Sequence, residues 1–169
     1  MATERKRLPH LFSHGFTPIL FFLCFAGVFT FLLSGCSVTT RARSMLGGRV
    51  DVSVVLSETA NQNHPVAVDL LVVHEPELLE RLLGMSAREW FNQRDQLQRD
   101  FLPGEDLDVW SWEWVPGQRV PEQEIPLSAG AAGGLVFADY RTPGAHRVRF
   151  DPFSDLALRF QETGFDLRQ

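Results

Sequence analysis

The chain has 169 residues, of which 44% are hydrophobic and 22% are charged, and its formal net charge is −5 at pH 7. An acidic chain lacks the basic clusters that neutralise phosphates, so its composition argues against a nucleic-acid-binding protein. Its only two cysteines, Cys24 and Cys36, leave little room for a disulfide framework.

Residues 1–35 have the parts of an export signal. Arg5, Lys6 and Arg7 form a positive region, and an apolar run follows over residues 19–33. As a helix this run would rise about 22 Å, which is short of the ~30 Å hydrocarbon core of a membrane. We therefore predict a cleaved signal peptide, with an uncleaved signal anchor as the alternative.

The signal ends in Leu33, Ser34, Gly35 and Cys36. This tetrapeptide resembles the bacterial lipobox. The resemblance implies signal-peptidase recognition through Leu33, Ser34 and Gly35, and acylation of Cys36 with palmitate-like chains that hold the protein on a lipid bilayer. Several acyl chains anchor a protein stably, whereas one gives marginal binding. In the sorting scheme that this resembles, Ser37 implies the periplasmic face of the outer membrane.

The mature chain is predicted to have one domain. Since Cys24 leaves with the signal and Cys36 takes the lipid, no intramolecular disulfide is possible. Residues 36–49 are polar and contain Gly47-Gly48, which predicts a lipidated flexible tether. Residues 50–169 are enough for one hydrophobic core.

Alternating apolar residues and Pro/Gly turns predict short strands along most of residues 50–169. Val50, Val52, Val54 and Leu56 share one face of the first strand, because side chains of a strand alternate with a period of two. The glycine-rich residues 130–134 are predicted to be a turn that leads into a strand. The predicted strands are Val50–Leu56, Val66–Val73, Leu107–Val115, Val120–Leu127, Gly133–Arg141, Ala145–Phe150 and Leu156–Phe160, with a short edge strand at Phe165–Leu167.

Helical periodicity interrupts these strands at about residues 76–101. Pro76 suits a first helical turn, and Ser86 with Glu89 forms a capping box that begins a second helix. We expect Arg94 to lie in solvent with the other charged residues of this helix, Arg88, Asp95 and Arg99. The pattern predicts a mainly β fold, a β-sandwich with an inserted helical segment.

No motif in the sequence supports catalysis or a cofactor. His64, His74 and His146 lack the spacing of a metal site. The chain has no G-x-S-x-G sequence and no phosphate-binding loop. A carboxylate pair that meets only in the folded chain is left open. We therefore expect no metal, no cofactor and no enzyme activity.

Trp110, Trp112 and Trp114 lie on one face of a predicted strand. Three indoles on one face would suit a carbohydrate-binding platform. Alternatively, they form the core face that packs the inserted helical segment. We favour core positions for at least two of them.

The order of these features resembles the outer-membrane lipoprotein of the type VI secretion system, the TssJ family. The lipobox is followed by a strand and a short loop that contains asparagine. The sequences that match in order are Pro65–Val68, Trp90-Phe91, Val115–Gln118, Leu135–Arg141 and His146-Arg147.

The resemblance implies a transthyretin-like β-sandwich with extra helices and no catalysis. It implies a structural role in the trans-envelope complex, where the lipoprotein holds the periplasmic domain of an inner-membrane protein, TssM. An unrelated periplasmic adaptor and a carbohydrate-binding lipoprotein are the alternatives.

The resemblance also implies a partner-binding role for the loop that joins the first two strands. Exposed amides pair with a partner at less desolvation cost than charges. We expect its replacement at residues 61–63 to leave the melting temperature nearly unchanged. The rival surface is the helical segment Glu77–Phe101 with its arginines. The predicted partner-binding residues are Glu58, Asn61, Gln62, Asn63 and His64.

Overall fold

The computed structural model describes residues 42–169. The predicted signal peptide, its recognition residues Leu33, Ser34 and Gly35, the lipidation site Cys36 and residues 37–41 of the predicted tether lie outside this range. Within the described range, no helix is long and apolar enough to cross a membrane. Residues 42–46 are helical, and the first strand begins at Gly48, so the last part of the predicted tether has regular structure.

In residues 42–169, eight strands form two four-stranded sheets. The first sheet has the order β4-β1-β7-β8 and the second has the order β3-β2-β5-β6. Strands β1 and β7 pair in parallel, and the other neighbours pair antiparallel. The strands are β1 Gly48–Leu56, β2 Val66–Val73, β3 Leu107–Trp114, β4 Gln123–Leu127, β5 Gly133–Ala138, β6 Arg147–Phe150, β7 Leu156–Phe160 and β8 Phe165–Arg168.

The core between the sheets explains the register of β1. Val50, Val52 and Leu56 are buried against the second sheet, as their alternation predicts. A shift of one residue would turn this apolar set to the solvent. Strand β2 is buried on both faces over most of its length, because the second sheet is covered by the first sheet on one side and by helices on the other.

Two helices fill the predicted insertion. Helix α1 covers Pro76–Leu83 and helix α2 covers Ala87–Asp100. Both hydrogen bonds of the predicted capping box at Ser86 and Glu89 are present. The helices bury Leu78, Leu82, Trp90 and Leu97 against the outer face of the second sheet, where Leu71, Val73, Leu135 and Phe137 meet them.

The tryptophan face of β3 belongs to the core between the sheets. Trp114 is buried and lies edge-on to Phe160, with ring centroids 5.3 Å apart. Trp110 and Trp112 are partly buried against the same core. The expectation that these indoles pack the inserted helices is therefore wrong, because Leu107 and Val109, on the opposite face of β3, meet that segment instead.

Gly134 allows strand β5 to pass beneath an aromatic ring. A Cβ atom at this position would lie 2.3 Å from the ring of Phe150, a separation that van der Waals radii forbid. Gly133, its neighbour, has the side chain of Leu79 in the corresponding place. The glycine-rich segment therefore leads into β5, as predicted, and admits two large side chains of the core.

Strand β1 runs from one end of the sandwich to the other. Its first residue, Gly48, pairs with Leu127, and its last, Leu56, pairs with Phe160. At about 3.3 Å per residue the two ends are roughly 26 Å apart. We call the end with residues 42–48, 127–133 and 151–155 the N-terminal pole, and the end with residues 57–65, 116–119, 139–146 and 161–164 the loop pole.

Candidate partner-binding surface

The loop between β1 and β2 contains a left-handed turn. Asn61, Gln62 and Asn63 have φ angles of +48°, +56° and +61°. A left-handed conformation costs an ordinary L-residue roughly 1–2 kcal/mol, and asparagine tolerates it best among residues other than glycine. Three such residues in succession persist only when the surrounding structure fixes them.

Asn61 holds this left-handed turn in place through hydrogen bonds. Its side chain is 1% exposed, and its Nδ2 donates to the carbonyl oxygen of Pro65 at 2.8 Å. Its Oδ1 accepts from the backbone N–H of Arg141 at 2.8 Å, and its own N–H donates to the carbonyl of Gln161 at 3.1 Å. One residue therefore ties the β1–β2 loop to the β5–β6 loop and to the β7–β8 turn.

The five predicted partner-binding residues consequently divide into two groups. Asn61 faces the interior and is not available to a partner in this conformation. Because Asn61 is buried and its amide is hydrogen-bonded, we now expect the replacement of residues 61–63 to lower thermal stability, in contrast to the expectation from the sequence. The exposed members, for which partner binding remains a prediction, are Glu58, Gln62, Asn63 and His64.

Tyr140 and His146 brace the rest of the loop pole. The Tyr140 hydroxyl donates to the carbonyl of Gly164 at 2.7 Å, and burial raises the pKa of this phenol. The His146 ring stacks on Tyr140 with centroids 4.8 Å apart, and its Nε2 lies 2.8 Å from the carbonyl oxygen of Thr142. The loops of this pole are therefore connected to one another by hydrogen bonds and ring stacking, which the sequence motifs alone did not indicate.

A groove of about 430 Å³ lies beside this set of loops, against the beginning of α2. Arg88 and Arg141 are exposed at its border, together with Asp139. The groove adjoins the β1–β2 loop, because Asn61 bonds the backbone of Arg141. Exposed charged groups of both signs therefore lie in the loop that contacts the β1–β2 loop.

On the rival surface formed by the helices, the position of Arg94 differs from the prediction. Its Nη1 lies 3.2 Å from Oδ2 of Asp69, a side chain that is completely buried in β2. The same oxygen accepts from Nε1 of Trp90 at 2.7 Å. Arg94 was expected in solvent, but its guanidinium instead pairs with this buried side chain. An aspartate within the apolar run of β2 was the sequence signal for this pair.

The histidines do not meet in the structure. His74 pairs with Asp108, with Nε2 and Oδ2 3.1 Å apart, whereas His64 and His146 lie in separate loops of the loop pole. Over residues 42–169, no group of three or more His, Cys, Asp or Glu side chains is arranged to hold a metal ion.

Solved structures resemble this chain over most of its described domain. The Serratia marcescens protein Lip, a membrane-bound component of the type VI secretion system, matches with a TM-score of 0.53 and 14% identity, over 72% of this chain and 97% of Lip. The type VI secretion lipoprotein TssJ1 of Pseudomonas aeruginosa matches with a TM-score of 0.52 and 16% identity, over 72% and 95%. The chain has the fold of the type VI secretion lipoproteins.

A third match is to a structure of the C-terminal domain of the type VI secretion protein TssM from EAEC. Its TM-score is 0.50 and its identity 14%, over 73% of this chain and 98% of the matched chain. No protein-family model matches the sequence, and no curated protein matches it. The predicted fold class, a β-sandwich with an inserted helical segment, is confirmed by these structures, whereas the sequence identity is too low to carry more than the fold.

Proposed function

We propose that this chain is a lipoprotein of the outer membrane, acylated at Cys36, and a structural component of a type VI secretion trans-envelope complex. In this proposal it has no catalytic activity, and it holds the periplasmic domain of an inner-membrane protein of the TssM type. The observation that carries the proposal is the fold, which extends over 95% and 97% of the two matched lipoproteins. The lipobox at residues 33–36 agrees with it.

The loop pole is the surface that suits this partner best. Its β1–β2 loop is held in one conformation by Asn61, so little conformational entropy remains to be lost on binding. Gln62 and Asn63 present exposed amides on this fixed backbone. The loop is also separated from the N-terminal pole by the length of β1, roughly 26 Å, so a domain attached through Cys36 has this loop on its far side.

The sharpest test removes these amides without changing the backbone. Glycine adopts a left-handed conformation freely, so the double variant Gln62→Gly/Asn63→Gly keeps the turn and deletes both side chains. We expect its affinity for the periplasmic domain of the TssM-type partner to fall at least about tenfold, or about 1.4 kcal/mol, in a calorimetric titration.

The matched control is Ser128→Gly/Ala129→Gly, which alters two exposed loop residues at the N-terminal pole. We expect it to bind with the affinity of the unchanged protein. Equal affinities for both double variants would move the site to the helices, and Arg88→Glu would then test that surface. Absence of binding by the unchanged protein would contradict the proposed function itself.

The two alternative functions have less support. A carbohydrate platform needs at least two indoles in water, but Trp114 is buried and both Trp110 and Trp112 pack against the core. An unrelated periplasmic adaptor would share the lipobox and not the partner, so the same titration separates it from the proposed function.

A further inference from the structure

Met45 and Leu46 are the most exposed large apolar residues of the described chain. Their exposed fractions are 74% and 84%, and the next highest value is 59% at Val55. They are adjacent in the helical segment of residues 42–46. Single exposed apolar residues are common on protein surfaces, but two neighbours on a fixed segment need an explanation.

The segment that bears them is attached to the domain. Nη1 of Arg43 lies 2.9 Å from Oδ1 of Asp155, and the N–H of Gly130 donates to the carbonyl of Ser44 at 3.2 Å. The N–H of Gly47 closes the turn on the carbonyl of Arg43 at 2.9 Å. Met45 and Leu46 are therefore presented at a fixed place on the N-terminal pole.

The sequence limits how far this place can be from the proposed lipid anchor. Only Ser37–Arg41 separate Cys36 from Ala42. A fully extended chain spans at most about 3.3–3.6 Å per residue, so the helical segment begins within roughly 20 Å of the acylated residue. The bilayer surface that holds the acyl chains is then the nearest apolar phase to Met45 and Leu46.

We propose that Met45 and Leu46 insert into the phospholipid surface beside Cys36 and form a second attachment that orients the domain. The inference rests on the acylation of Cys36, which is part of the proposed function. With the N-terminal pole on the membrane, the loop pole points into the periplasm. Arg43 and Arg49, the arginines nearest to this pair in the described sequence, are paired with Asp155 and Glu124, so we expect the contact to be mainly apolar and to depend little on salt.

The test uses the full mature lipidated protein in vesicles of phosphatidylethanolamine and phosphatidylglycerol. Because Cys36 is acylated, the variant Met45→Cys has one free thiol for an environment-sensitive fluorophore. The control Val115→Cys carries the same fluorophore at an exposed apolar position directly after β3, next to the loop pole. We expect lipids with a spin label in the acyl chain to quench the fluorophore at residue 45 at least threefold more than at residue 115. This ratio should persist from 0.1 to 1 M salt.

A third variant excludes insertion driven by the fluorophore itself. Met45→Cys with Leu46→Asp should lose most of the lipid quenching, because a charge at the surface of the apolar phase opposes insertion. Equal quenching at residues 45 and 115 would overturn the inference. Protection from aqueous iodide without lipid quenching would also overturn it, since a protein surface would then cover the pair.

Palmitate labelling of the same preparation separates this inference from the proposed function. If the protein carries the palmitate label but the fluorophore at residue 45 remains in water, only the second attachment is overturned. Absence of label would remove the anchor and overturn both proposals.

Discussion

The β1–β2 loop and the helical insertion each contact the rest of the sandwich through a buried polar side chain, but by different chemistry. Among the described residues, Asn61 and Asp69 are the two buried polar side chains. Asn61 bonds backbone groups of three segments. Asp69 bonds side chains of one helix, Trp90 and Arg94.

The difference shows what each contact determines. The helices bury an apolar cluster of their own against the second sheet, so Asp69 and its partners add to an attachment that exists without them. The loop buries only Ala60 and Asn61, so its left-handed turn depends on the amide of Asn61. A neutral amide is sufficient there because the groups around it are neutral peptides.

The largest effect is expected from placing a second carboxylate next to Asp69. Arg94→Glu removes the cation and adds a like charge, and breaking a buried pair in this way destabilises a protein strongly. Because Arg94 itself is about one-third exposed, we expect a loss of about 3 kcal/mol in the free energy of unfolding, measured in urea. Arg99→Glu, on the exposed side of α2, is the control and should change stability by less than about 0.5 kcal/mol. Similar losses for both would mean that the Asp69 pair contributes nothing.

The next largest effect comes from a comparison that separates the stability contributed by the hydrogen bonds of Asn61 from the cost of backbone strain. Asn61→Ala and Asn63→Ala both place alanine at a left-handed position, but only Asn61 has a buried, bonded amide. We expect Asn61→Ala to lose about 2.5 kcal/mol of stability and Asn63→Ala about 1 kcal/mol. Equal losses would show that strain alone accounts for the effect, and the role assigned to Asn61 would fail.

The smallest effect concerns the beginning of α2. Hydrogen bonds from the backbone N–H of Ser86 and then from its hydroxyl lower the pKa of Glu89 below its ordinary value of 4.5. Since the folded pKa is below the unfolded one, ionised Glu89 stabilises the fold above pH 4.5, and this contribution is lost as the pH falls through the lowered value.

Thermal melts of the unchanged protein and of Glu89→Gln check this expectation. The difference in melting temperature between the two proteins should shrink steadily from pH 6 to pH 2. Glu80→Gln, an exposed glutamate on α1 that takes no part in a capping box, is the control. A constant difference across this range for Glu89→Gln would contradict the role of the carboxylate in the capping box.

The sequence by itself determined the elements of the sandwich. The alternation in β1, the turn residues between strands and the capping box at Ser86 act within a few residues, so their outcome could be predicted from neighbours in the chain. The strand bounds differ from the prediction mainly at the ends. Strand β5 ends at Ala138 instead of Arg141, because the residues after it belong to the braced loops of the loop pole.

The tertiary structure alone decided the contacts that define the candidate site. Asn61 meets Arg141, eighty residues along the chain, and Asp69 meets Arg94 on a helix that packs on the opposite face from the tryptophans. A strand pattern shows that two faces differ, but it does not say which layer covers each face. Whether an asparagine in a polar loop faces the solvent or the interior is decided by the segments that fold against it, because only they supply the groups that satisfy its amide.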